Sequence, residues 1–434
     1  MLLNNCLNDH ACHYRSLILI RPLKNDVIIL LQKNHIMQKK ILILGGNHVQ
    51  MTAINAAKSQ GYYVITADYL PDNPGHKLSD EYYNISTVDK DAMLKLAKEL
   101  HIDGVVSYAS DVSAPTAAYI AEQLGLPTNP YDSVMILTHK NLFRNFLAEH
   151  NYPMPMWAMF TDKDKAYKFI SSSHNVWIIK PVDSSGSKGV TKITDCAQFD
   201  DAWNMAMKYS ISKQVIIEQF IKKQGYQIDG DIFVKNGEVV FWGFCDQHND
   251  IDCAPYVPVG LSFPSTQHER YQRRAKELVS SILQKLRMTM GAYNIEYIIS
   301  DDDEVYILEI GPRNGGNLIP DTIYASTGYN MAVNTVRQAV GDECLNYTHN
   351  HKIKHCSSYI IHSQTCGLLD RVDIDADIEA KIIKKIMFVS AGTPINKFIN
   401  GGEGIGAMVC EFDSAKQMCD TIDAMNQYVK VFVK

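Results

Sequence analysis

The sequence predicts a multidomain α/β and α+β protein that opens on a Rossmann-like parallel sheet and ends in a small α+β domain. Three observations carry this. Apolar strands and amphipathic helices alternate over residues 37 to 127, and the alternation stops at Pro127 and Pro130. At 434 residues the chain also has room for about three domains.

From Lys40 the chain reads strand, turn, helix, strand. Ile41 to Leu44 is an apolar run, Gly45-Gly46-Asn47 a turn, 49 to 60 a helix closed by Gly61, and Tyr62 to Ala67 a second strand. A helix from Lys90 to Leu100, a strand from Gly104 to Tyr108 and a helix from Ala114 to Leu124 continue the pattern, which gives a parallel sheet covered on both faces. Beyond the prolines one helix is expected from about Ser133 to His150, stopped by Pro153 and Pro155. Strands follow at 176–180, 189–193, 214–218, 228–234 and 238–244, with helices near 198–209 and 266–286 and two further strands at 292–299 and 305–310. Residues 357–434 mix short strands with a helix near 414–427. The expected domains are 37–127, 128–345 (with a small subdomain at about 153–225) and 346–434, and 1–36 is read as an extension outside the fold.

Composition narrows the function. Hydrophobic residues make up 46% and charged residues 21%, an ordinary globular balance. A net charge of −6 argues against a broad nucleic-acid or membrane-surface footprint. The ten cysteines contain no CxxC spacing, which fits reduced thiols and a cytoplasmic location. The two apolar bursts of the extension, Leu17 to Ile20 and Val27 to Leu31, are each far short of the roughly 20 residues a bilayer span needs. Met37, just before the first strand, is the expected start of the folded protein.

Two stretches point to chemistry. The runs Ala292 to Ile299 and Val305 to Ile310 flank Ser300-Asp301-Asp302-Asp303-Glu304. With Asp302-Asp303 at the centre of a hairpin turn, Glu296 falls opposite Glu309. Opposed like charges about 5 Å apart are destabilising unless a cation bridges them. Two carboxylates with phosphate oxygens and water are a usual way to hold Mg²⁺. The second stretch, Lys180 to Val190, joins two strands through Asp183-Ser184-Ser185-Gly186-Ser187-Lys188-Gly189, whose small residues let backbone N–H groups wrap phosphate oxygens. It is not a P-loop, because Gly189 and a strand follow Lys188.

Lys140, Lys180 with its Gly/Ser loop, Val215 to Ile221, Glu296, and Glu309-Ile310-Gly311-Pro312-Arg313-Asn314-Gly315-Gly316 together resemble the ATP-grasp superfamily of carboxylate-amine ligases. The resemblance covers residues 37 to about 345 and implies a central ATP-grasp fold behind an N-terminal pre-ATP-grasp domain. It implies that Lys140 and Lys180 contact ATP phosphates, that Ser184, Ser185, Gly186, Ser187, Lys188 and Gly189 fold over them, and that Glu218 lies near the adenine amino group. Gln219, Phe220 and Ile221 then offer backbone contacts to the base, and Gln227 stands at the ribose in place of the family's usual Glu. Glu296 and Glu309 match the acids that bind Mg²⁺ (or Mn²⁺), with Arg313 and Lys180 catalytic. Many members have Asn where this chain has Gly311, and Asn314 is the expected substitute ligand. His48, Asp246, Tyr256, Gly315 and Gly316, with Gly45 and Gly46, are substrate candidates.

Other motifs are weaker. Gly45-Gly46-Asn47-His48 lacks the GxGxxG spacing of a nicotinamide site. Cys245, His248 and Cys253, with Asp246, Asp250 and Asp252, look like metal ligands but lack the tight paired spacing of a structural zinc site. Gly401 to Gly406 reads as a turn before the strand Ala407 to Phe412, and Arg270, Arg273 and Arg274 as the solvated face of a helix. The expected function is an ATP-dependent ligase that activates a carboxylate as an acyl phosphate and joins it to an amine. A biotin-carboxylase-like or carbamoyl-phosphate-type enzyme using bicarbonate is the second reading, and a non-catalytic ATP-binding protein the third. The expected partners are small-molecule carboxylates and amines, with a homodimer by analogy and neither nucleic acid nor membrane.

Overall fold

The computed structural model describes residues 38–347 and 352–434, so the readings made on 1–36 lie outside the described residues. The first sheet is parallel, in the order Glu81–Tyr83, Tyr63–Ala67, Lys40–Leu44, Gly104–Ser107. Strand alternation explains why Ile41 to Leu44 is apolar throughout. Ile41 and Ile43 pack against the helix Met51–Ser59 on one face, and Leu42 and Leu44 against Lys90–Leu100 and Ala114–Leu124 on the other. All four are fully buried, each stabilising the sheet by about 1.5–3 kcal/mol. Part of the first face is covered from far along the chain, by Ala332, Val333 and Val336 of the helix Met331–Ala339.

The second layer is an eight-stranded sheet with antiparallel pairing, in the order Val305–Gly311, Met290–Ile299, Gln227–Lys235, Glu238–Asn249, Pro258–Phe263, His355–Ile361, Gly406–Phe412, Ile382–Met387. It runs without interruption across residue 345, because Pro258–Phe263 pairs with His355–Ile361. The long helix Glu269–Lys285 packs under it through Tyr271, Ala275, Leu278, Val279 and Ile282. Its outer arginines stay solvated, and Arg270 pairs with Asp303 at 3.1 Å across the acidic hairpin turn. A four-stranded lobe, ordered Trp157–Phe160, Val215–Gln219, Trp177–Pro181, Thr191–Ile193, sits on the helices Lys163–Ser171 and Phe199–Tyr209. The strands Pro394–Ile395, Gly367–Ile374 and Val429–Val433 form a small fourth sheet, and the helix Ala415–Asp423 lies against the large one.

Several elements differ from expectation, among them the strands Glu81–Tyr83, Trp157–Phe160 and Pro258–Phe263, which were not expected. The single helix from Ser133 to His150 is two, Tyr131–Thr138 and Lys140–Glu149, because His139 adopts an extended backbone (φ −115°, ψ 112°). The break lets the Lys140 N–H donate to the Val182 carbonyl at 3.0 Å, tying that lysine to the small lobe. The helices Ile319–Thr327 and Met331–Ala339 were not expected, although Pro320 in the first turn, Gly328 at the end of the first helix and Asn330 capping the second are their signals. Among the described residues no helix is long and apolar enough to cross a membrane.

Candidate active site

Glu296 and Glu309 face each other across the hairpin ladder. The expected register holds from Asn294–Gly311 through Glu296–Glu309, then slips by one toward the turn, where Tyr297 faces Ile307 and Leu308 bulges out. Asp229, two residues from Gln227 on the adjoining strand, brings a third carboxylate to the same cleft. Its carboxylate accepts from Asn294 Nδ2 at 2.7 Å. Burial, then the charges of Asp229 and Glu309, push Glu296 up to about 8, and burial also raises Asp229. Three carboxylates in one cleft make an oxygen-rich set that fits a hard divalent cation.

A pH dependence follows from linkage. A carboxyl whose folded pKa is raised contributes stability that is complete below its ordinary value and lost as pH rises through the raised one. In chelator, the melting temperature is expected to fall between about pH 4.5 and pH 8 and to recover with MgCl₂ at the upper end. Glu296→Gln should flatten that slope, measured by calorimetry at each pH; an unchanged slope would remove Glu296 as its cause.

The cations come from elsewhere in the chain. Lys140 Nζ lies 3.3 Å from Glu309 Oε2 and 3.0 Å from the Ser184 carbonyl. Lys180 pairs with Glu218, whose other oxygen accepts from Arg144 Nε at 2.7 Å. Arg144 is fully buried, and its Nη2 donates to the carbonyl of the bulged Leu308 at 3.0 Å. Burial would raise Glu218, but Arg144 and Lys180 together draw it down to about 2. Arg313 is gripped by Asp111 through Nε–Oδ1 at 2.8 Å and Nη2–Oδ2 at 2.5 Å. Four cations (Lys140, Lys180, Arg144, Arg313) thus meet five carboxylates (Glu218, Glu309, Asp111, Glu296, Asp229). A divalent cation at the acids would free Lys140 for an anionic ligand.

The Gly/Ser loop covers this cleft. Asp183 anchors its base by accepting from the Ser212 N–H at 2.7 Å and the Ile211 N–H at 3.1 Å. At its tip Gly401 N–H donates to the Gly186 carbonyl at 3.1 Å and Ser187 Oγ to the Tyr256 carbonyl at 3.3 Å. Gly189 has φ +76°, and a Cβ there would lie 3.0 Å from Pro181 Cγ, so glycine is required. The cleft has a volume of about 660 Å³, within the range of small-molecule sites. Lys140, Lys180, Ser184 to Lys188, Glu218 to Ile221, Gln227, Glu296, Glu309 and Arg313 all line it, as do Tyr256, Gly316, Gly45 and the turn at Gly401 and Gly402.

Several expected roles are corrected. Asn314 is not beside the acids: its side chain is buried and its Oδ1 accepts from Thr335 Oγ1 at 2.9 Å, because the Gly315 N–H bonded to Asp231 turns the chain inward. A Cβ at 311 would meet Asp111 Oδ1 at 2.6 Å, so Asn there would have to displace the Asp111 side chain that holds Arg313. Gln227 Nε2 donates to Glu296 Oε2 and Gln247 Oε1, both at 3.1 Å, so its amide serves the acid cluster in this structure. The N–H groups of Gln219 and Phe220 are taken by the carbonyls of Met156 and Val176, both at 2.8 Å, which leaves base contacts through N–H to Ile221. Asp246 is fully buried and accepts from the Thr266 N–H at 2.8 Å, away from the cleft. His48 packs on Phe388 with ring centroids 4.7 Å apart, and its neighbours Asn47 and Gln50 line the cleft instead. Gly315, held by Asp231, and Gly46 and Gly189 likewise stand outside the lining.

Arg144, Asp111 and Asp229 were not singled out from sequence. Asp111 carried a usable signal, since it follows the carboxyl end of the strand Gly104–Ser107, where doubly wound sheets bind ligands. Arg144 carried none.

Two lobes with a small-residue loop between them, and lysines opposed to a carboxylate cluster, are the parts that phosphoryl transfer uses. Residues 137–317 match the family model of the ATP-grasp domain. The chain is 25% identical over 353 residues to the uncharacterized protein y4rH of Sinorhizobium fredii, covering 79% of this chain and 71% of that one. It is 22% identical over 286 residues to a formate-dependent phosphoribosylglycinamide formyltransferase of Bacteroides thetaiotaomicron, covering 63% of this chain and 70% of that one. Among solved structures, the L-amino acid ligase of Bacillus licheniformis shares the fold with a TM-score of 0.76 at 18% identity, over 92% of this chain and 99% of the other.

Proposed function

We propose that this protein uses ATP and Mg²⁺ to activate a carboxylate as an acyl phosphate and to join it to an amine. The supporting observation is the convergence in one cleft of Glu296, Glu309 and Asp229 with Lys140, Lys180 and Arg313 under the Gly/Ser loop. The names of the relatives, a formate-dependent formyltransferase and an amino acid ligase, point the same way.

In this reading Glu296, Glu309 and Asp229 hold the cation, which neutralises phosphate charge when bound. Lys140, Lys180 and Lys188 stabilise the phosphates, Glu218 and the Ile221 N–H receive the base, and Arg313 steadies the phosphoryl group in flight. A substrate carboxylate oxygen attacks the γ-phosphorus, the bond from that phosphorus to the bridging oxygen breaks, and ADP leaves. The amine then attacks the carbonyl, loses a proton, and phosphate departs. The loop at 184 to 188 keeps water from the intermediate. Residues 37–127 and 346–434 serve in this proposal as the parts that select the substrate.

The test is ADP release from the purified chain with Mg²⁺, crossing amino acids, dipeptides, sugar acids, formate and bicarbonate with amines. ADP release that needs both a carboxylate and an amine is expected. Release with bicarbonate alone would move the protein to carboxylation, and ATP binding without turnover across the whole grid would overturn catalysis.

A further inference from the structure

A second cluster lies behind the loop that carries Tyr256 to the cleft. Asp250 follows the strand Glu238–Asn249, Cys253 stands in the next turn, and His362 follows the strand His355–Ile361. Each is more than nine-tenths buried. One carboxylate oxygen, the thiol sulfur and one imidazole nitrogen lie within 4.8 Å of one another. Asp250 and Cys253 belong to the cluster weighed from the sequence, but the histidine is His362 and not His248, which is engaged by Asp423 at 2.6 Å and Ser262 at 2.9 Å.

The histidine's hydrogen bonds carry the argument. His362 Nδ1 is 2.7 Å from the Ile360 carbonyl, which can only accept, so Nδ1 bears the proton. In the neutral ring Nε2 is then a bare lone pair, and it faces Asp250 Oδ2, another acceptor, at 3.1 Å. Two acceptors in contact require positive charge between them. An Nδ1–H bonded to a backbone carbonyl is also how metal-ligating histidines are oriented, with Nε2 left for the metal. With Zn–N and Zn–O bonds of about 2.0 Å, tetrahedral ligands stand about 3.3 Å apart, close to the separation found. The Gln364 amide, 3.2 Å from Asp250 Oδ2, steadies the carboxylate. Cys253 Sγ lies against the Phe398 carbonyl at 3.5 Å and the Ser363 carbonyl at 3.9 Å, and would turn from them to supply the third ligand.

We propose that Asp250, Cys253 and His362 form a zinc site with one coordination position left for water. Binding converts the Cys253 thiol to a thiolate and releases its proton to solvent. The site ties the 250–257 turn, and with it Tyr256 at the cleft, to the C-terminal half of the large sheet. It is independent of the ligase reading.

The test is metal analysis of the full chain purified without chelator, followed by titration of the stripped protein with ZnCl₂ and with CoCl₂. About one zinc per chain is expected, with a thiolate-to-cobalt charge-transfer band in the cobalt form. Cys253→Ser should remove that band with the fold retained by circular dichroism, and His362→Gln should weaken zinc binding at least about 10-fold. Should Cys253→Ser not fold, Asp250→Asn serves as the second variant and should weaken zinc to a similar degree. Wild-type zinc content no higher than that of His362→Gln, a cobalt band that survives in Cys253→Ser, or full zinc affinity in Asp250→Asn would each overturn the site and leave a buried imidazolium–carboxylate pair.

Discussion

Glu309→Gln is expected to lower Mg²⁺-dependent ADP formation by about 10²–10³-fold, the usual cost of removing one electrostatic element of a phosphoryl-transfer site. The same variant should fold at least as stably as the parent in chelator. Glu309 stands opposite Glu296 in the ladder and contributes to the repulsion that keeps Glu296 protonated into the neutral range. Gln is nearly isosteric and still accepts a hydrogen bond from Lys140, so only the charge is lost. Activity and melting temperature should therefore move in opposite directions, measured by coupled ADP release with Mg²⁺ and by calorimetry without it. Turnover retained near the parent level would remove Glu309 from the metal site, and a large loss of stability would mean that the activity loss came from the fold.

Arg144→Met is expected to destabilise the protein by about 3–5 kcal/mol, the range for breaking a buried pair while one charge remains. Arg144 is fully buried and Glu218 nearly so, and the variant leaves Glu218 with Lys180 alone. Part of the effect should depend on pH. A carboxylate whose folded pKa is depressed contributes stability that is present above its ordinary value and lost as pH falls toward the depressed one. For Glu218 that window runs from about 4.5 down to about 2, so parent and variant should converge in acid and differ most near neutrality. Arg144 also holds the Leu308 carbonyl, so the variant should weaken Mg²⁺ binding through the displaced bulge beside Glu309. Urea unfolding across pH checks the first effect and titration calorimetry with MgCl₂ the second. A loss below about 1 kcal/mol at pH 7 would rule out the buried trio as a stabilising element.

What could be read from sequence follows the range of the interactions involved. The parallel sheet was legible because Ile41 to Leu44 and their helices repeat a local pattern whose two faces each find cover. The Glu296–Glu309 pairing was legible because a hairpin's register is fixed by its turn, and it survived a bulge that lies on the turn side of the pair. Arg144 with Glu218, 74 residues apart, and Arg313 with Asp111, 202 apart, are joined only by tertiary packing, and no local signal marks such partners. The break at His139 was hidden for the same reason, since neither proline nor glycine marks it and the bond from Lys140 to Val182 is long-range. Asn314 and Asp246 were misplaced because spacing gives a residue's neighbourhood and not the side to which its side chain turns.

The contact between the Gly/Ser loop and Gly401 has a consequence for the enzyme's working rhythm. A bond from a backbone N–H to a backbone carbonyl stabilises by about 0.5–1.5 kcal/mol net, which biases the loop toward closure by a factor of only about 2 to 13. So weak a catch is nearly balanced. In the proposed reaction the phosphates of an arriving nucleotide would tip it shut, and their departure would let it open without any dedicated release step. The bond from Gly401 to Gly186 is made by main-chain atoms, while the Ser187 hydroxyl adds a side-chain contact to Tyr256, so a change at Ser187 reaches the timing of the loop that most changes on the 401 turn leave alone.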